Sequence, residues 1–261
     1  MPEIYTHYRF GSAVLATLPA DIRRSIQRFR RLYDVGLHGP DLFYNYYPLG
    51  SRSGSLLGIK YHEQTGRAFF TRTCRAIRLE RSEAASAYLY GVLCHYVLDS
   101  TLHPFISLTA EQCGVSTLEI ETELDRYFLE LDGKMPPNAG KLTRHLKLTD
   151  GESETVAAFY PPVTAKAVQK ALHTTVATTR LMMNPEGIRG NLAKAAVAAL
   201  GGPAQGMLMG TKANPKCAHL DQPLQELYDE ALIRFPDYLL QIQAHMTYNA
   251  PLDQDFDRTF G

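Results

Sequence analysis

Apolar residues recur at helical rather than strand spacing along most of this chain. Over 11–33 they fall at Val14, Leu15, Leu18, Ile22, Ile26, Phe29 and Leu32, one face of an amphipathic helix with a break at Pro19. The same period predicts helices over 63–79, 82–103, 117–132 and 152–183, with others at 189–200 and 222–246. Pro161 and Pro162 interrupt the 152–183 segment, because proline supplies no backbone donor inside a helix. Ser116 and Glu119 stand at capping-box spacing and fix one helix start. Turn residues crowd 36–48, and Gly and Ser crowd 50–58. Loops are also expected at 201–206 and 211–219, and neither has the character of a domain linker. Strand-like alternation is scarce and no internal repeat is found. The pattern predicts an all-α fold, one multi-helix domain over 1–261 with long loops.

Composition narrows the function without naming it. The apolar share is 45% and the charged share 21%, ordinary values for a soluble globular protein. Basic and acidic residues balance at 27 each, which argues against a nucleic-acid binder that relies on bulk charge. The basic set Arg23, Arg24, Arg28, Arg30 and Arg31 reads as a solvated helix face, or as a contact for anionic lipid. No apolar run reaches the ~18 residues of a membrane span. The start, residues 1–11, shows no basic stretch leading into an apolar one. Cys74, Cys94, Cys113 and Cys217 are far apart, with Cys94 and Cys113 expected as buried small hydrophobes. Together these features predict a cytoplasmic protein with reduced thiols.

The run from Tyr88 to Phe105 changes the picture. It sets His95, Asp99 and His103 at four-residue intervals in an otherwise apolar segment, one above another on a helix. Burying imidazole and carboxylate there is costly unless something pairs with them. A divalent metal does so, and zinc takes both donor types at about 2.0–2.2 Å. Glu121 and Asp125 repeat the spacing after the capping box; taken alone, with Arg126 beside them, they read as a solvated face. Two helices offering inward ligands are how helical bundles build metal sites. His145, His173, His219 and His245 lack a partner at ligand spacing and are read as structural.

The motif Tyr88-x-x-Gly91-x-x-x-His95-x-x-x-Asp99-x-x-x-His103-Pro104, preceded by Gly39-Pro40-Asp41 and an isolated His62, resembles the zinc-dependent phospholipases C of bacteria, which are related to fungal single-strand nucleases. His7 near the amino terminus and the acidic helix with Glu121 complete the ordered series. The resemblance implies a site of two or three Zn2+ ions. Asp41, His62, His95 and Asp99 would hold the first; Asp99 would bridge to a second shared with His7 and the terminal amine; His103 and Glu121 would hold a third. Two positions depart from the family pattern. Thr117 stands where a further His is expected, and the chain has no Trp to supply the terminal ligand. Loss of Met1 would expose the imino group of Pro2, five residues before His7, the offset found between terminal ligand and His in the resembled enzymes.

Clustered zinc lowers the pKa of bound water towards about 7 and neutralises charge on phosphoryl oxygens, so phosphodiester hydrolysis by a metal-activated hydroxide is the expected chemistry. Asp41, the loop carboxylate, is expected both to ligate zinc and to accept a proton as the catalytic base. Phe43, Tyr44, Tyr46 and Tyr47 follow it, either lining a pocket for a headgroup or base or packing on the core. The expected substrate is a phospholipid or small phosphodiester. A nuclease or nucleotidase with the same site is the alternative enzyme, though no strong nucleic-acid signal supports it. A non-catalytic helical protein with a structural or degraded metal site is the third reading.

Overall fold

Pro19 and Phe29 divide the first apolar stretch into three helices rather than one. The computed structural model describes residues 4–44, 53–183, 190–191, 195 and 206–261, with only the backbone of 53–55. In it, α1 spans Ile4–Thr17, α2 Ala20–Arg28 and α3 Arg30–Gly36. Proline disfavours helical backbone at the residue before it, which ends α1. At Phe29 the backbone leaves helical geometry (φ −116°, ψ 37°), while its N–H still donates to the Ser25 and Ile26 carbonyls. A 3-10 turn, Gly39–Phe43, follows α3.

Helix α4 covers Ser53–His62, α5 Gly66–Glu80 and α6 Glu83–Cys113. The last is the axis of the molecule. Ser82 caps its start through the Ala85 N–H, and Gly114 ends it in left-handed backbone at φ 62°. Its residues 87–100 are buried on every side, so helices must surround it. The expected end of this helix near Pro104 does not occur. Pro104 removes the donor that would serve the Ser100 carbonyl, and Arg258 Nη1 donates to that oxygen at 3.3 Å instead. Where α3 crosses α6, Gly36 and Gly91 let the two backbones touch. A Cβ on Gly91 would lie 2.3 Å from the Tyr33 carbonyl, and one on Gly36 2.5 Å from that of Tyr88.

Helix α7 runs Thr117–Leu131, and both hydrogen bonds of its Ser116–Glu119 capping box are present. Then come α8 (Ala139–Leu142), α9 (Asp150–Ala157), α10 (Ala165–Met182) and α11 (Asp221–Tyr248). The break between α9 and α10 contains Pro161 and Pro162. The helix expected over 189–200 lies almost wholly outside the described residues. Among the described residues there is no strand, only an isolated bridge between Thr65 and Thr259. None of their helices is long and apolar enough to cross a membrane.

The C-terminal segment is built into the core beside α6. Phe256 and Phe260 are fully buried and meet Phe70 and Tyr96. The Phe260 N–H donates to the His62 carbonyl at 3.1 Å. Truncating a buried phenylalanine typically costs about 3–5 kcal/mol, so Phe260→Ala should lower the urea midpoint by that equivalent. An unchanged midpoint would show that this segment does not contribute to the core.

A buried polar cluster lies where α7 meets the start of α11. Arg126 pairs with Glu123 at 2.7 Å and approaches Asp221 at 3.8 Å. Burial, then the nearby Glu123 charge, pushes the Asp221 carboxyl up from 3.8 to about 7. A raised carboxyl stabilises the fold below its unfolded value and loses that contribution as pH rises through the folded one. Stability should therefore fall between 3.8 and about 7. Asp221→Asn should flatten that slope, gaining about 1 kcal/mol at pH 8 relative to pH 4 after allowance for solvent screening. Parallel pH profiles for the two proteins would contradict it.

Candidate metal centre

Three elements bring donor groups to one side of α6. Helix α1 contributes His7, the 3-10 turn contributes Asp41, and the end of α4 contributes His62. Each approach has a local cause. Gly39 takes a positive φ of 43°, and a Cβ there would lie 2.5 Å from the His95 ring, so the turn carrying Asp41 comes within contact of α6. His62 Nδ1 is 2.8 Å from the Gly58 carbonyl. A carbonyl only accepts, so that nitrogen carries the proton and Nε2 presents its lone pair to the centre.

Helix α1 is anchored from α7. Asp125 accepts the N–H groups of Tyr5 and Thr6 at 3.1 and 2.7 Å and the Thr6 hydroxyl at 2.7 Å. Those N–H groups are among the first-turn donors that a helix cannot satisfy internally, and a carboxylate there also complements the helix dipole. Glu121, Asp125 and Arg126 are all buried, so the solvated face expected of this row is not what the fold makes. One face of α7 anchors the helix that aims His7.

The donors converge in two groups. His7, His95 and Asp99 form one; Asp41, His62 and His95 form the other; within each, the donor atoms lie within 4.8 Å of one another. His62 Nε2 is 2.9 Å from Asp41 Oδ1, His95 Nε2 3.2 Å from Asp99 Oδ2, and His7 Nε2 3.3 Å from Asp99 Oδ1. His7 Nε2 lies 4.0 Å from Asp41 Oδ2, which links the groups. Ligand atoms around a tetrahedral zinc, at about 2.1 Å from it, are about 3.4 Å apart. The observed spacings bracket that value. All five residues are buried.

Electrostatics favour the same reading. Burial lowers the His7 imidazole and holds that of His95 well below its ordinary range, although Asp41 acts in the opposite sense on both. Burial would raise the Asp41 carboxyl, but the neighbouring His62 and His95 rings hold it well below the usual carboxylate range. Neutral imidazoles and ionised carboxylates are the states that bind metal. Neither ring nitrogen of His95 is hydrogen-bonded among the described residues. A 2.9 Å approach of the His62 lone pair to a carboxylate oxygen is repulsive unless a proton or cation lies between. The residues fit zinc.

Other expected residues stand at different distances from this centre. His103 Nε2 is 3.6 Å from Asp99 Oδ2 but lies in neither group. Glu121 is buried and acts electrostatically on His7, also outside both groups. Phe43 is core, edge-on to Tyr160, whereas half-buried Tyr44 lies against the His62 ring with centroids 4.7 Å apart. Pro2, Tyr46 and Tyr47 lie outside the described residues. Cys94 is buried, but Cys113 is exposed rather than a small core residue. Arg28, Arg30 and Arg31 are held by Glu83, Asp34 and Glu152, so this basic face is largely self-neutralised.

Two ring contacts were not foreseen in the sequence. Phe260 stacks on His95 with centroids 6.0 Å apart, supporting it from the chain's far end. His38 and His145 touch through their Nε2 atoms at 2.7 Å, and His38 lies edge-on to His7. Only the sequence distance between those pairs hid them.

The family model described as zinc dependent phospholipase C matches residues 6–159, more than half of the chain. No curated protein and no solved structure gives a match.

Removing Asp125 leaves buried donors unmade. Asp125→Ala should cost about 3 kcal/mol of folding stability and lower bound zinc at fixed free zinc, read by denaturation and metal analysis. Full zinc retention would show that α1 finds its place without that anchor. Chelation should lower the melting temperature of the metal-loaded protein, because a ligand at a hundredfold its Kd stabilises by about 2.7 kcal/mol. An unshifted transition would exclude a tightly held ion.

Proposed function

The chain belongs to the zinc dependent phospholipase C family, and on that premise we propose that it hydrolyses a phosphodiester, a phospholipid or a smaller soluble one. The observation carrying this reading is the pair of buried donor groups sharing His95, inside the matched residues. Asp41, His62 and His95 would hold one zinc. Asp99, with its oxygens towards His95 and His7, would bridge to a second. His103 and Glu121 would hold a third ion more weakly, since Thr117 stands where the family pattern has a further His, and that ion should be the first to leave on dialysis.

When bound, zinc lowers the pKa of coordinated water and neutralises charge building on phosphoryl oxygens. The protein's own part is placement and proton transfer. Asp41, on a turn rather than a helix, accepts the proton released by the attacking water. Gly39 and the neighbouring 3-10 turn hold its carboxylate in place. The Tyr44 ring over His62 offers an apolar wall to the substrate and keeps bulk water from that imidazole. We also place the protein in the cytoplasm, a setting consistent with its four free cysteines.

Zinc stoichiometry and turnover of a generic aryl phosphodiester, with and without chelator, test the reading together. The expected result is two ions after dialysis, a third in excess zinc, and activity abolished by chelation and restored by zinc. Asp41→Asn with metal retained should reduce kcat by about 10²–10⁴. Full turnover by that variant would remove Asp41 from the proton-accepting role. Absence of both metal and turnover would leave the non-catalytic reading.

A further inference from the structure

The charged residues of 133–149 are all basic: Lys134, Lys141, Arg144 and Lys147, with His145 among them. In a chain whose formal charges cancel, such a segment stands out, and the fold folds it into a concave surface. All four cations line one cavity of about 810 Å³ against Tyr5 and Tyr8 of α1, and no carboxylate lines it. That size is typical of small-molecule sites.

Several arginines of the molecule are engaged by carboxylates. Arg9, Arg28, Arg30, Arg31, Arg67, Arg126 and Arg234 each meet one within 4.0 Å. Lys134 is likewise engaged, with Asp132 at 3.8 Å and with the Tyr5 hydroxyl, and its ammonium lies 4.7 Å over the Tyr5 ring. Asp132 itself is occupied by Arg9 and Tyr5. Lys141, Arg144 and Lys147 form no ion pair among the described residues. They are not scattered on a random loop. The Asn138 side chain accepts the Lys141 N–H at 3.0 Å, the Thr143 hydroxyl donates to the Ala139 carbonyl at 2.7 Å, and Leu146 is buried.

This cavity is distinct from the metal cluster. Tyr8 stacks on His145 at 4.3 Å between centroids and His145 on His38 at 5.0 Å, so a layer of rings separates it from His7. We propose that the cavity binds an anion carrying two or more phosphate groups, either free in solution or as the headgroup of a phosphorylated lipid. A phosphate monoester carries about −1.5 to −2 charge and offers three acceptor oxygens. Two such groups match three uncommitted cations and the partly neutralised Lys134. Arg144 supplies a planar fork suited to phosphate, and the two lysines supply point charges. A single phosphodiester would leave most of this charge unanswered. The site does not depend on the hydrolase reading.

Calorimetry with inositol trisphosphate tests the soluble source. Flotation with phosphatidylcholine vesicles containing phosphatidylinositol bisphosphate tests the lipid source. Phosphatidylserine vesicles of equal surface charge report non-specific attraction. Binding to either polyphosphorylated probe should fall at least tenfold in Lys141→Gln/Arg144→Gln/Lys147→Gln. Zinc content, melting temperature and aryl phosphodiester turnover should not change, since these side chains are exposed and outside the metal centre. Lys141→Arg/Lys147→Arg should keep binding. Failure of both probes to bind, affinity untouched by the triple substitution, or equal flotation with phosphatidylserine would each overturn the proposal. Because zinc content and turnover are measured on the same samples, loss of the hydrolase reading would be visible separately.

Discussion

The carboxylate of Asp99 sits in the dry centre of the protein within 3.6 Å of three imidazoles, those of His7, His95 and His103. Asp41 meets His62 beside it. Groups of this kind lose several kcal/mol of hydration when buried, and a cation among them returns the balance. The surrounding structure serves that constraint. Helix α6 is buried around its circumference so that the row from His95 is shielded. The glycine crossing draws α3 and the following turn against it, and Gly39 allows Asp41 to reach the centre. The geometry is that of a binding site whose stability is completed by what it binds.

The supports for this cluster come from opposite ends of the chain. Asp125 holds the first turn of α1 and thereby aims His7. Phe260 backs His95, and Arg258 satisfies the carbonyl freed by Pro104, so α6 continues past the row of donors. These C-terminal residues lie beyond the segment matched by the family model. The candidate metal centre is therefore held by parts of the protein that its motif does not include. In physical terms the motif supplies donors, and long-range packing supplies their precision.

Much of this was legible from local pattern. His95, Asp99 and His103 announced themselves by i, i+4 spacing in an apolar run, and Ser116–Glu119 marked a helix start that the fold retains. Asp41 and His62 came only through resemblance, because no local period connects a loop carboxylate to a lone histidine. Asp125 was misread as a solvated residue because its partners are backbone donors of a helix 119 and 120 positions away. The expected stop at Pro104 failed for the same kind of reason, since Arg258 is 158 positions from Ser100. His145, read as structural, closes the ring layer between the candidate metal cluster and the basic cavity. Tertiary contacts of this separation leave no trace in a periodicity.

Anomalous diffraction at the zinc edge, on crystals of protein purified without added metal and then loaded, decides whether these donors hold ions. The converging donors predict one peak bounded by Asp41, His62 and His95 Nε2, and a second between Asp99 and His7, each at about 2.0–2.2 Å from its ligands. Zinc found only on surface histidines, or no peak among these five side chains, would contradict it.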